Sequence, residues 1–152
     1  MGSWHFDVAT KHLKWSDEIF RIFDQDPRKF EASYEAFMQA VHPDDRGKVA
    51  HAYEESLRNH TAYEIEHRLL LPDGRIKFVQ ERCETVYDPD GRPLHSLGTV
   101  QDITERRQAQ ERDAAHLRKL HRLSELSMQI SGEPGAVFDE VVGMVATLFE
   151  VP

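Results

Sequence analysis

YEIEHRLLLPDGRIKFVQERCETVYDPDGRPLHSLGTVQDI, residues 63–103, decides the fold. Tyr63, Ile65, His67, Leu69 and Leu71 alternate with Glu64, Glu66, Arg68 and Leu70, which is the period of a strand with one buried face. Pro72-Asp73-Gly74 is a turn, Ile76 to Tyr87 a second strand, Asp88-Pro89-Asp90-Gly91 another turn, and Leu94 to Ile103 a third strand. The pattern predicts a meander of three long antiparallel strands, with His67 on the inward register of the first.

Upstream, large and polar residues alternate from Trp4 to Val8 and from His12 to Trp15, with a polar turn between, predicting a short hairpin. Ser16 then stands as the cap of a helix with Asp17 and Glu18 in its first turn and Ile19, Phe20, Ile22 and Phe23 as its apolar set. Ser33 caps a second short helix, with Phe37, Met38 and Val41 as its buried face. Pro43, Asp44 and Asp45 suit the start of a third, longer helix that runs to Asn59 on Val49, Ala52, Tyr53, Ser56 and Leu57.

Downstream of Thr104, which can cap it, a long helix is predicted. No Gly or Pro interrupts the chain until Gly132, and Leu117, Leu120, Leu123, Leu126 and Ile130 form an apolar stripe that drifts from a strict heptad. A polar helix with one apolar seam expects a partner helix. After Gly132-Glu133-Pro134-Gly135, residues 136–149 read as a further amphipathic helix, as if a domain began there and continued.

The 152 residues suit one domain with a short appendage, and 39% apolar residues allow a modest core. Nineteen basic against 27 acidic side chains leave a net charge of −8, which argues against nucleic acid and anionic lipid as partners. Cys83 is the sole cysteine, so no intrachain disulfide forms, and a reducing, cytoplasmic setting is expected. No run approaches the roughly 20 apolar residues of a membrane span. The first residues show no basic segment followed by an apolar one, so no secretory signal is expected, and Phe6 stands where a myristoylation signal wants Ser or Thr.

The order of short hairpin, short helices and three-stranded meander resembles the PAS family over about Trp4 to Arg107. The residues that carry the resemblance are Trp4 and Asp7, Leu13-Lys14-Trp15-Ser16, His42-Pro43-Asp44-Asp45, Pro72-Asp73-Gly74, Asp90-Gly91 and the run from Gly98 to Arg106. It implies an α+β fold: a five-stranded antiparallel sheet with short helices on one face, enclosing a sensory pocket, followed by a long C-terminal helix. The expected division is a sensory domain over 1–104, a signalling linker helix over 105–131, and over 132–152 the start of a domain that looks like GAF. In this family Asp102, Ile103 and Thr104 close the sheet and start the helix that carries the signal out.

Within that frame, the expected pocket residues are Phe23, Phe37, Val41, Tyr53, Ile65, His67, Leu69, Phe78 and Val100. Leu117, Leu120, Leu123 and Leu126 are the expected homodimer seam. Flavin photochemistry through a cysteinyl adduct is not expected, because the family's Asn-Cys-Arg-Phe-Leu-Gln-like run is absent and Cys83 lies in a strand, where a small buried hydrophobe is the plainer reading. Haem on His51, at the spacing of a proximal ligand, is weighed against a solvent-edge histidine and not expected. His67 is the better pocket histidine, set against a hydrogen-bonded core residue.

Nine scattered histidines, with His116 and His121 five apart, give no metal site. No catalytic framework stands out, and His116 lacks the glutamate and Thr-Pro pair that a kinase phosphoacceptor carries around it. The expectation is a sensory module without catalysis of its own, joined covalently to an output domain such as a histidine kinase or a cyclic-dinucleotide synthase. The alternative is a ligand-free dimerisation module.

Overall fold

The computed structural model describes residues 1–130, with side-chain surroundings through Ser127. Five strands, β1 (Gly2–Asp7), β2 (His12–Trp15), β3 (Tyr63–Leu70), β4 (Ile76–Tyr87) and β5 (Pro93–Asp102), form one sheet in the order β2-β1-β5-β4-β3. Every neighbouring pair is antiparallel. Helices α1 (Asp17–Ile22), α2 (Tyr34–Ala40) and α3 (Arg46–Asn59) come between β2 and β3, and α4 (Thr104–Ile130) follows β5.

The meander follows from its turns. Gly74 and Gly91 hold φ of 86° and 80°, a region where a Cβ is strained, so each tight reversal falls on a glycine. The first reversal pairs Leu70 with Ile76, which places Ile65 opposite Glu81 and His67 opposite Val79. Val79, Glu81 and Cys83 are therefore buried with His67 and Leu69 on the helix-covered face.

Helix starts depart from expectation in detail. The Ser33 hydroxyl accepts from the Ala36 N–H, as a cap should. The Ser16 hydroxyl instead accepts from the Ser3 N–H, tying α1 to β1. Pro43–Asp45 form a 3₁₀ turn before α3. Phe37 and Met38 are only half-buried, whereas Val41, just past the end of α2, is fully buried and bridges Leu69.

The core is Ile19, Ile22, Phe23, Val41, Val49, Leu69, Leu71, Val79 and Val100. Residues 1–107 form one compact unit, and the described part of α4 beyond Arg107 belongs to a second. In the second, Leu117, Leu120 and Leu126 of α4 are exposed and Leu123 is half-buried. The GAF-like segment expected over 132–152 lies outside the described residues. Among the described residues no helix is long and apolar enough to cross a membrane.

Candidate functional site

Between the sheet and the helices lies a cavity of about 40 Å³. Strands β1 and β2 supply Trp4, Phe6, Leu13 and Trp15 to its wall, and the helices supply Ile19, Phe23, Tyr34, Phe37, Val49 and Tyr53. Tyr63, Glu81 and Val100 form its floor on the sheet. Gly98 belongs to this design without lining the space, because a Cβ there would overlap the Trp4 indole, so the glycine gives that ring its seat.

The rings pack mostly at tilted angles. Trp15 meets Phe23 at 4.8 Å between centroids and Tyr34 meets Tyr53 at 6.3 Å. Tyr34 also meets Phe6 and Phe37, so this one half-buried ring joins β1, α2 and α3.

Glu81 is the charged residue of the wall and is 2% exposed. Its Oε1 accepts from the Tyr63 hydroxyl at 3.0 Å, and its Oε2 lies 3.0 Å from His67 Nε2. Burial first, then the negative charge of Glu81, pushes the Tyr63 phenol far up from its ordinary value, so it remains a proton donor. Burial also pushes up the phenols of Tyr34 and Tyr53. Tyr53 in turn shares a hydrogen bond with Ser96, which bonds Thr85. Cys83 is buried beside this row, and burial pushes its thiol up to about 12, a value that suits a packed side chain rather than a nucleophile.

Four of the nine expected pocket residues, Phe23, Phe37, Tyr53 and Val100, line the cavity. Val41 and Leu69 belong instead to the solid core, and Ile65 packs against that core. His67 is buried beside the cavity and reaches it through Glu81. Phe78 needs correction. It alternates with Val79 and so projects from the opposite face of the sheet, half-buried, with the Arg107 guanidinium 5.7 Å above its ring. His51 is 69% exposed beside Glu55, away from the cavity. Among the described residues no group of three or more His, Cys, Asp or Glu side chains could hold a metal ion.

Sequence reading missed Glu81 together with Trp4, Phe6, Trp15, Tyr34 and Tyr63. The register set by the Pro72-Asp73-Gly74 turn was a usable signal, because it places Glu81 opposite the inward Ile65.

Two residues past the cavity-lining Val100, β5 hands over to α4. The Phe78 N–H donates to Thr104 Oγ1 at 3.0 Å and the Phe78 carbonyl accepts from the Ile103 N–H at 2.8 Å. Asp102 Oδ1 accepts from the Thr104 N–H at 2.9 Å and lies 2.6 Å from the Thr104 hydroxyl. The expected cap is thus corrected: Asp102 holds the start of the helix, while the Thr104 hydroxyl donates to Asp102 and accepts from the Phe78 N–H on β4. Lys77 donates to the Ile22 carbonyl at 2.9 Å and lies 3.5 Å from Asp102, joining the end of α1 to this junction. Arg106 and Arg107 both reach the Glu66 carboxylate on β3.

A family model described as the PAS fold matches residues 12–100. Sensor protein FixL of Bradyrhizobium diazoefficiens is 27% identical over 139 residues, which cover 87% of this chain and 27% of that protein. Among solved structures, a sensory box histidine kinase/response regulator from Burkholderia thailandensis is similar with a TM-score of 0.67 at 22% identity, over 80% of this chain and 90% of that one. The N-terminal domain of a diguanylate cyclase with PAS/PAC sensor from Marinobacter aquaeolei follows with a TM-score of 0.63 at 19% identity, over 70% and 97%. At these identities the two structures establish the fold.

Proposed function

This chain belongs to the PAS fold family, and from that premise we propose that it is the sensory module of a larger signalling protein, passing the state of its aromatic cavity through β4 to α4. The observation that carries the reading is the position of Glu81. It stands in the cavity wall on the same strand as Phe78, whose N–H and carbonyl hold Thr104 and Ile103. A displacement of β4 by an occupant is felt at the first turn of α4, and Lys77 gives α1 a second route to Asp102. The module acts as a cytoplasmic homodimer through Leu117, Leu120, Leu123 and Leu126, without catalysis of its own. Its output domain is a histidine kinase or a cyclic-dinucleotide synthase, in keeping with the sensor proteins it resembles.

A second reading rests on a different observation. Leu117 is 65% exposed, with Leu120 and Leu126 close to half, as a dimerisation helix with no ligand input would present them. One variant of the full chain separates the two. Phe37→Trp fills the cavity as an occupant would. Sensing requires amide hydrogen exchange at Ile103, Thr104 and Arg107 to change by about tenfold, the scale of an ordinary coupling free energy between two sites. Unchanged exchange, with the sedimentation behaviour of the parent retained, leaves the dimerisation module standing alone.

A further inference from the structure

The cavity is built like a receptor for positive charge. Trp4, Trp15, Tyr34, Phe37, Tyr53 and Tyr63 contribute aromatic rings to its wall, and aromatic faces carry the negative part of the ring quadrupole. Glu81 adds a carboxylate that is 2% exposed. A carboxylate has about four lone-pair sites, of which Tyr63 and His67 occupy two, leaving two for an occupant.

An anion in this space would face Glu81 without a counter-charge from the wall. Both Glu81 oxygens already have a partner, Tyr63 or His67, so a neutral apolar occupant adds no pairing there, whereas a cation adds charge pairing with the carboxylate. The volume sets the size. About 40 Å³ holds roughly three waters, which is the space of a headgroup of a few heavy atoms, far short of a porphyrin or an isoalloxazine ring.

We infer that the cavity binds a small organic cation, a primary or methylated ammonium group of about four to five heavy atoms, with Glu81 as its counter-charge and the rings as its cage. The inference rests on the reading of the cavity as a ligand site and deepens it. Tyr34 is the ring best placed to yield, because it is half-buried and bridges three elements by ring contacts alone.

Trp4 and Trp15 lie in the wall, so their emission reports entry directly. The full chain is titrated, at matched ionic strength, with tetramethylammonium and n-propylammonium chlorides, with tert-butanol as the neutral analogue of similar shape, and with sodium acetate as the anionic one. The ammonium ions are expected to give a saturable change. Half-saturation by tert-butanol should require about tenfold more, the weight of one cation–aromatic and carboxylate pairing, and acetate should give no change.

Glu81→Gln keeps the shape and an acceptor for Tyr63, and should weaken ammonium binding by about tenfold. Equal binding of tert-butanol, ammonium binding indifferent to Glu81→Gln, or no saturable ammonium response overturns the inference. Because the analogue series uses the parent chain, the test survives a variant that does not fold. Amide exchange at Ile103 to Arg107 separates the two readings. Tert-butanol that binds as tightly as the ammonium ions and alters this exchange overturns the ligand class and keeps the sensor. Ammonium that binds and leaves it unaltered keeps the ligand class and removes the sensor.

Discussion

The interior has two ends built from different material. Around the junction with α4, the aliphatic side chains Ile22, Val41, Leu69, Leu71 and Val79 are at most 4% exposed. Around the cavity, the half-buried rings of Trp4, Phe6, Trp15, Tyr34, Phe37, Tyr53 and Tyr63 and a carboxylate join the buried Leu13, Ile19, Phe23, Val49 and Val100. Close-packed aliphatics transmit displacement because they have nowhere to collapse, whereas large rings around an open space reorient at small cost. The sheet thus has a compliant end where an occupant would enter and a stiff end where the helix begins, and β4 runs through both.

The largest effect that could break this contrast is a pair of truncations. Leu69→Ala removes a fully buried side chain from the stiff end and is expected to cost about 3 kcal/mol in urea unfolding of the full chain. Phe37→Ala, although it removes more atoms, enlarges space that is already open and should cost about 1 kcal/mol. Equal costs at the two positions would mean that the ends do not differ in packing.

Two glycines sharpen the comparison at a smaller scale. An Ala at Gly98 must displace the Trp4 indole from the cavity wall, so Gly98→Ala is expected to destabilise by about 1–2 kcal/mol and to shift tryptophan emission. Gly47, in α3, has nothing within 4 Å of an added Cβ, and Gly47→Ala should stabilise by about 0.5 kcal/mol through helix propensity and leave emission unchanged. If Gly98→Ala leaves emission unmoved, the ring does not depend on that glycine for its place.

The same contrast decided what could be read from sequence. Alternation in β3 marked Tyr63, Ile65, His67 and Leu69 as inward because charged partners separate them. In β4 both registers carry large apolar groups, Ile76 and Phe78 on one and Val79 and Cys83 on the other. Hydrophobicity therefore favoured Phe78, and only the turn-fixed pairing reveals that Glu81 faces in. The hairpin that supplies Trp4, Phe6 and Trp15 was legible as strands. Its place beside β5, where those rings meet Gly98 and the helices, comes from contacts distant in sequence. Asp102 was legible as part of the joint that starts the helix, and Thr104 was misassigned as its cap because either residue type can cap.

The smallest effect concerns how the stiff end is stitched to the edge of the sheet. Arg68 on β3 donates from its backbone N–H and Nε to Asp45 Oδ2 and from Nη2 to Asp45 Oδ1, at 2.8, 3.0 and 2.7 Å, and the Arg68 carbonyl accepts from the His42 N–H at 2.9 Å. These bonds pin the segment before α3 to the strand beside Val41 and Leu69, whereas the ring contacts around Tyr34 have no such charged pin. The Arg68 side chain, the largest cause, holds the Asp45 carboxyl down from 3.8 to about 2. A depressed folded-state pKa means that the contribution is complete above about pH 4 and is lost as pH falls through about 2. Asp45→Asn keeps an oxygen for Arg68 but removes the charge. Its thermal midpoint should lie below that of the parent at pH 6, and the gap should close steadily from pH 4 towards pH 2. A gap that persists unchanged at pH 2 would show that the charge of Asp45 does not hold this edge, leaving packing alone to distinguish the stiff end from the compliant one.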